Sequence, residues 1–424
     1  MVLFIKVKQS NIIKYIEGII MSKKVLKCGK FFDSVNECVK ENVWVVVEGN
    51  KVSEVSENEV CCEGAEFIDL SDKFVMPGMI DAHMHLMMNG EPSAMGDLYS
   101  KRDADYMVDM IINAQADLMA GFTTIRDEGC IGFVDISLRN AINAGKVWGP
   151  RMKVAGMGIG STGGHGDNPL RPGTVLAGGM SQVVDSPDEA RKAARHTIKY
   201  GADHIKLMAT GGVMSVGDEP GAPDLTFEEM KAALDIANTH GKSSSAHAHG
   251  ALGIKWAVKA GIASIEHGMM MDEECMDLMV EHGTYLVPTI IAAYRIVEYG
   301  QYLPEEAVRK AKACLENHGR NLEMCRAKGV KIAFGTDTGT YFSQHGKQAY
   351  EFELMQKYGN FTVTESLVAA TKSAADLLKM SNEVGSIEPG KYADIVAFNE
   401  SPYDDITTMC RCAFVMKDGK VYKN

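Results

Sequence analysis

The chain has 424 residues, with 44 Lys and Arg against 56 Asp and Glu for a net charge of −12, and it is 46% hydrophobic and 24% charged. That composition excludes a disordered chain, and the acidic balance argues against nucleic-acid binding, which needs basic patches. No run approaches the roughly 20 apolar residues of a membrane-spanning helix, and ten cysteines without a C-x-x-C pair point to reduced thiols in a cytoplasmic protein.

In chain order, residues 1–20 mix apolar residues with Lys6, Lys8, Lys14 and Glu17 and read as a leader or upstream extension, with Met21 opening the first strand-like segment. From Val25 the pattern is short strands and turns, including the hairpin signal VWVVVEGNKVSEV. The C-terminus resumes it with DIVAF and the hairpin AFVMKDGKVY, which turns at Asp418-Gly419. Residues 21–75 and 381–424 are therefore expected to form one small β-sandwich domain built from both termini. Between them, residues 76–380 alternate strand and helix. Eight strand candidates end in polar or Gly residues: VMPGMIDAHMH, FTTIRDEG, RMKVAGMG, HIKLMATGG, SSSAHAHG, SIEHG, TYLVPT and KIAFGTDTG. Helix starts are marked by Ser186-Pro187-Asp188-Glu189, Thr226-x-x-Glu229 and Thr362-x-x-Glu365. The reading is an α/β chain with a (β/α)8 TIM barrel.

In such a barrel, functional residues occupy the C-terminal ends of strands. Here those ends carry His83 and His85, Lys206, His247 and His249, His267, and Asp337, one group after each of strands one, four, five, six and eight. Residues at i and i+2 share a strand face, so His83 and His85 can point together into the barrel mouth. Imidazoles and a carboxylate suit zinc or a similar divalent ion, and His247 with His267 can serve a second. Burial favours the neutral amine of a lysine. Such an amine can take up CO₂ to form a carbamate, whose two oxygens and negative charge suit a bridge between metals.

The segments PGMIDAHMH, IKLMATGG, AHAHG, IEHG and FGTD, in this order, resemble the amidohydrolase superfamily from about Val25 to the end, and Gly385 to Asp394 is similar to that superfamily's return into its β domain. Within it the chain resembles the branch of imidazolonepropionase-like proteins and prolidase-type metal-dependent dipeptidases and carboxypeptidases, with fungal ochratoxin-hydrolysing amidohydrolases also similar. Lys206 and the loop Thr162-Gly163-Gly164-His165-Gly166-Asp167 favour the peptidase side. The resemblance implies two divalent ions, with zinc expected. His83, His85 and Asp337 would hold the more buried ion, His247 and His267 the other, and carboxylated Lys206 would bridge them. It also implies attack by a hydroxide between the ions, with Asp337 as general acid/base and His165 polarising the scissile carbonyl.

Substrate contacts are expected from His165, His249, Tyr294, Arg295 and His345. His249 departs from the Tyr often seen there in related proteins, which leaves a carboxylate-binding role at this position open. Met269, Met270 and Met271 could line the mouth, and Asp218 or Glu219 could select a basic side chain. The expected substrate is a dipeptide or N-acyl amino acid. A cyclic amide or other C–N bond is the alternative, and a non-catalytic scaffold is disfavoured because all six ligand candidates are present. The expected partner is a small molecule rather than nucleic acid or membrane, and a homo-oligomer is expected.

Overall fold

The computed structural model describes residues 23–92, 100–167 and 179–424; the expected leader at 1–20 lies outside them. Four strands come first among the described residues: β1 (Lys23–Asp33), β2 (Cys38–Glu48), β3 (Lys51–Ser56) and β4 (Glu66–Pro77). Three come last: β15 (Ile395–Phe398), β16 (Cys412–Lys417) and β17 (Lys420–Lys423). Both expected hairpins form, pairing Glu48 with Lys51 and Lys417 with Lys420 across their turns. These strands of the expected β domain bond as one seven-stranded sheet, in the order β17-β16-β15-β4-β1-β2-β3. The sheet bends back on itself. Val52 of β3 donates to the Lys391 carbonyl, and Gly390 donates back to Val52, just before β15. The bend encloses an apolar core that includes Leu26, Val45, Leu70, Ile395, Phe414 and Met416.

Between the two parts of this sheet run β5 (Met79–Met84), β6 (Phe122–Asp127), β7 (Arg151–Val154), β8 (Gly158–Gly160), β9 (Ser181–Val183), β10 (His204–Met208), β11 (Ser243–Gly250), β12 (Ser264–Met270), β13 (Tyr285–Val287) and β14 (Lys331–Ile332). They form two parallel sheets, β5-β6-β7 and β14-β13-β12-β11-β10-β8-β9. Every residue of β5, β6 and β10 is buried, as expected for parallel strands covered on both faces. Backbone hydrogen bonds link the sheets at both seams. Ala82 donates to Phe334 (2.9 Å) and His85 to Thr338 (2.8 Å) on one side, and Asp203 donates to Val154 (2.8 Å) on the other.

The third expected strand, RMKVAGMG, is split. Gly156 adopts φ +66°, which ends β7, and its N–H donates to Asp135 rather than to a strand neighbour. The chain then re-enters as β8 in the other sheet. Helices α1 (Asp103–Met119), α2 (Val134–Asn143), α3 (Pro187–Tyr200), α4 (Phe227–Thr239), α5 (Ala251–Ala260), α6 (Glu273–His282), α7 (Ile290–Glu298), α8 (Glu305–Leu315) and α9 (His318–Lys328) follow or separate the strands. Thr226 and Glu229 cap α4 reciprocally, as do Thr362 and Glu365 at their helix. Ser186 caps α3, but Glu189 turns to the Asp185 N–H instead of completing the box. Among the described residues no helix is long and apolar enough to cross a membrane.

Candidate metal centre and active site

His83, His85 and Asp337 are brought together by the seam between β5 and the chain beyond β14. Asp337 Oδ1 lies 3.4 Å from His83 Nε2 and 3.2 Å from His85 Nε2. Asp81 locks the seam: its carboxylate accepts from the His83 N–H, the Thr336 N–H and the Thr336 hydroxyl, the last at 2.6 Å. Burial works against charge on Asp337, yet bonds from both histidines hold its carboxyl well below the usual range. Asp337 itself has φ +59°, a costly conformation for a non-Gly residue; its N–H donates to the His83 carbonyl at 2.7 Å.

A second group forms at the ends of β11 and β12. His247, His249 and His267 each offer a ring nitrogen within 4.8 Å of the others. His247 shares its strand face with His249, and His267 reaches the group through a left-handed φ of +70°. Each ring is also tied to the protein. His247 Nε2 donates to the Gly211 carbonyl at 3.2 Å, and His267 Nδ1 bonds the Thr289 hydroxyl at 2.6 Å. Burial, reinforced by neighbouring imidazoles, pushes the His247 and His267 pKa values well below normal, and burial lowers His249 to about 3. These rings are therefore neutral at physiological pH and retain the lone pairs a metal needs.

Lys206 projects from β10 into the same cavity and is buried, with Nζ 3.1 Å from Glu128 Oε2. Below it lies a buried charged layer that sequence reading did not find. Arg126 lies 2.6 Å from Glu128 and 2.9 Å from Glu266, and Ser245 donates to Glu128 at 2.6 Å. Glu266 in turn accepts from His83 Nδ1 at 2.8 Å, an outer carboxylate that fixes the ring's tautomer and leaves Nε2 for a metal. His204 also belongs to this layer, 3.1 Å from Glu128. The two donor clusters, with their opposite nitrogens already engaged by protein, fit divalent ions.

The cavity over these groups has a volume of about 500 Å³. His165 lines it and stacks on His247 at 4.0 Å between centroids. Its loop is anchored by Asp224, which accepts the His165 N–H at 2.6 Å, while His165 Nδ1 bonds Ser215 at 2.9 Å. A Cβ on Gly212 would sit 2.1 Å from the His165 ring, so this close approach requires glycine. Burial lowers the His165 pKa to about 4. The remaining wall is largely apolar, with Met88, Met208, Val213, Met214, Met269, Ile296 and Tyr341. Of the three adjacent methionines only Met269 reaches it; Met270 is exposed and Met271 joins the main core.

Three expected substrate contacts do not reach the cavity. Helix α7 turns Ala292, Ala293 and Ile296 inward. Its 3.6-residue period carries Tyr294 and Arg295 away, toward Glu298 and Tyr350. His345 uses both ring nitrogens on Asp117 (2.8 Å) and the Met88 carbonyl (3.0 Å); although burial opposes its charge, Asp117 raises its pKa. Asp218 is likewise spent inside the loop, on buried Lys310 (3.1 Å) and Ser215 (2.5 Å), and Glu219 pairs with Arg309.

A family model described as "Amidohydrolase family" matches residues 74–423. The ochratoxinase of Aspergillus niger is 32% identical over 374 residues, covering 82% of this chain and 75% of that enzyme. The imidazolonepropionase of Geobacillus thermodenitrificans is 24% identical over 385 residues, covering 85% and 83%. A crystal structure of a Xaa-Pro dipeptidase with methionine bound in its active site superposes with a TM-score of 0.88 at 36% identity, over 95% of this chain and 100% of that one. The chain therefore belongs to the amidohydrolase family.

Proposed function

We propose that this protein is a metal-dependent hydrolase that cleaves the amide bond of dipeptides or N-acyl amino acids carrying an apolar side chain, working at the mouth of a closed (β/α)8 barrel. The observation that carries the reading is the convergence, on one cavity, of two clusters of metal-type donors and a buried lysine. His83, His85 and Asp337 would hold one ion, His247 and His267 the other, with Lys206 between them as a carbamate. When bound, the ions supply Lewis-acid polarisation of the carbonyl and acidify a water.

The chain's own residues do the rest. Asp337, at the cavity floor, takes the proton of the attacking water and returns it to the departing nitrogen. His165, over His247, contacts the reacting carbonyl region. The methionine-rich wall excludes water and adapts its shape to an apolar group. The relatives named as an ochratoxinase and a Xaa-Pro dipeptidase support amide bonds as the target. Ten free cysteines are consistent with a cytoplasmic setting.

The test is a hydrolysis screen of dipeptides and N-acyl amino acids beside cyclic amides of the imidazolone and hydantoin type. Turnover of linear amides with apolar side chains is expected. Turnover confined to cyclic amides would replace this reading with the second one.

A further inference from the structure

We infer that His249 is a metal ligand, so that the second ion is held by three imidazoles, His247, His249 and His267, rather than by two and the lysine bridge alone. The inference rests on the binuclear reading above and extends it to a residue expected from sequence to touch substrate or to support a ligand by a hydrogen bond.

The three rings form a compact group. His249 stacks on His267 with 5.0 Å between centroids and 17° between planes, and meets His247 edge-on at 4.8 Å. One nitrogen of each lies within 4.8 Å of the others. Nitrogens about 2.1 Å from a tetrahedral zinc ion lie about 3.4 Å apart, so the three rings close on an ion by rotating inward.

Each ring is also aimed. His247 spends Nε2 on Gly211 and His267 spends Nδ1 on Thr289. His249 turns Nδ1 toward Cys314 Sγ at 3.8 Å, which leaves Nε2 free. Its backbone is fixed inside β11, where its N–H donates to Thr210 Oγ1 at 3.0 Å. Lys206, by contrast, has its amine on Glu128. Of the donors to the second ion, the imidazoles are therefore already in place, while the lysine must exchange a partner and gain CO₂. Three neutral histidines are a sufficient protein ligand set for zinc.

The experiment measures metal stoichiometry and affinity, by elemental analysis after desalting and by titration with Zn²⁺ or Co²⁺, on the full chain and on His249→Ala, His249→Asn, Lys206→Ala and the Lys206→Ala/His249→Ala double variant. Circular dichroism and melting temperature identify variants that have lost the fold, and the Asn variant retains a polar side chain at the buried position. Two ions are expected on the wild type, with the second retained by Lys206→Ala. That ion should bind more than about 10-fold more weakly to both His249 variants, the lower end of the loss seen when even an outer partner of a ligand is removed. The double variant should keep only the ion at His83, His85 and Asp337. Folded His249 variants that bind both ions as tightly as wild type, with only KM altered, would overturn the assignment and return His249 to substrate contact. A wild type that takes up no second ion would instead remove the binuclear reading itself, and the assignment with it.

Discussion

The residue on which the proposed chemistry turns is Asp337, held in a left-handed backbone conformation between two histidines. A strained φ persists only where its surroundings over-determine it, and here the Asp81–Thr336 bonds and the His83 carbonyl do so. Asp337→Asn keeps the shape and removes the proton acceptor. We predict a kcat loss of about 10²- to 10⁴-fold, the range for general acid–base groups, with little change in melting temperature; an unchanged kcat would remove Asp337 from proton transfer. The six ligand candidates were legible because each lies on a parallel strand or in the segment just beyond one, and all six line one cavity. Their supports were not. Glu266 reaches His83 across 183 positions and Thr289 reaches His267 across 22, and nothing local in the sequence announces such pairings. The misplacement of Arg295 has a local cause: the helical period of α7 points Ala292, Ala293 and Ile296 inward, and a fork-shaped cation one position earlier necessarily points elsewhere.

At the scale of elements, the two sheets depend on buried charge at their junctions. Arg151, at the start of β7, bonds Asp394 at 2.5 Å, also pairs with Asp418, and lies over the Tyr392 ring at 4.3 Å. It thereby fastens the parallel strands to the terminal sheet. Arg151→Ala would leave Asp394 buried without its partner, at a cost of about 3 kcal/mol; chemical denaturation should register this while metal stoichiometry stays the same. Asp135, in the first turn of α2, accepts from Gly156 and Ile136, and burial, with Asp127 nearby, raises its pKa from 3.8 to about 8. Between those values the native chain keeps a proton that the unfolded chain has released. The stabilisation from this group is therefore complete below about pH 4 and disappears as pH rises through 8. Asp135→Asn, which cannot ionise, should gain stability relative to wild type between pH 5 and 8.5, measured by urea midpoints; a difference constant with pH would contradict the assignment. The hairpins and capping boxes were readable from turn and cap residues. The split of RMKVAGMG was not, because Gly156 breaks the strand to meet an aspartate 21 residues away, and the single bent sheet arises from the distant Val52–Lys391 pairing.

Over the whole molecule, net charge and composition fixed the class of protein and said nothing of the substrate. The cavity supports the proposal more closely: it is lined by imidazoles, Asp337 and Lys206 together with methionine, valine and isoleucine, a lining that fits the proposed amide beside an apolar group. The proposed activity requires that these residues hold metal and that turnover depends on it. The most direct measurement is hydrolysis of a linear amide by the isolated protein, followed through chelation and restoration, with the ions per chain counted at each stage. Two divalent ions per chain, loss of turnover on chelation and its return with Zn²⁺ are predicted. Turnover that continues undiminished in a chain shown to carry no metal would contradict the central claim.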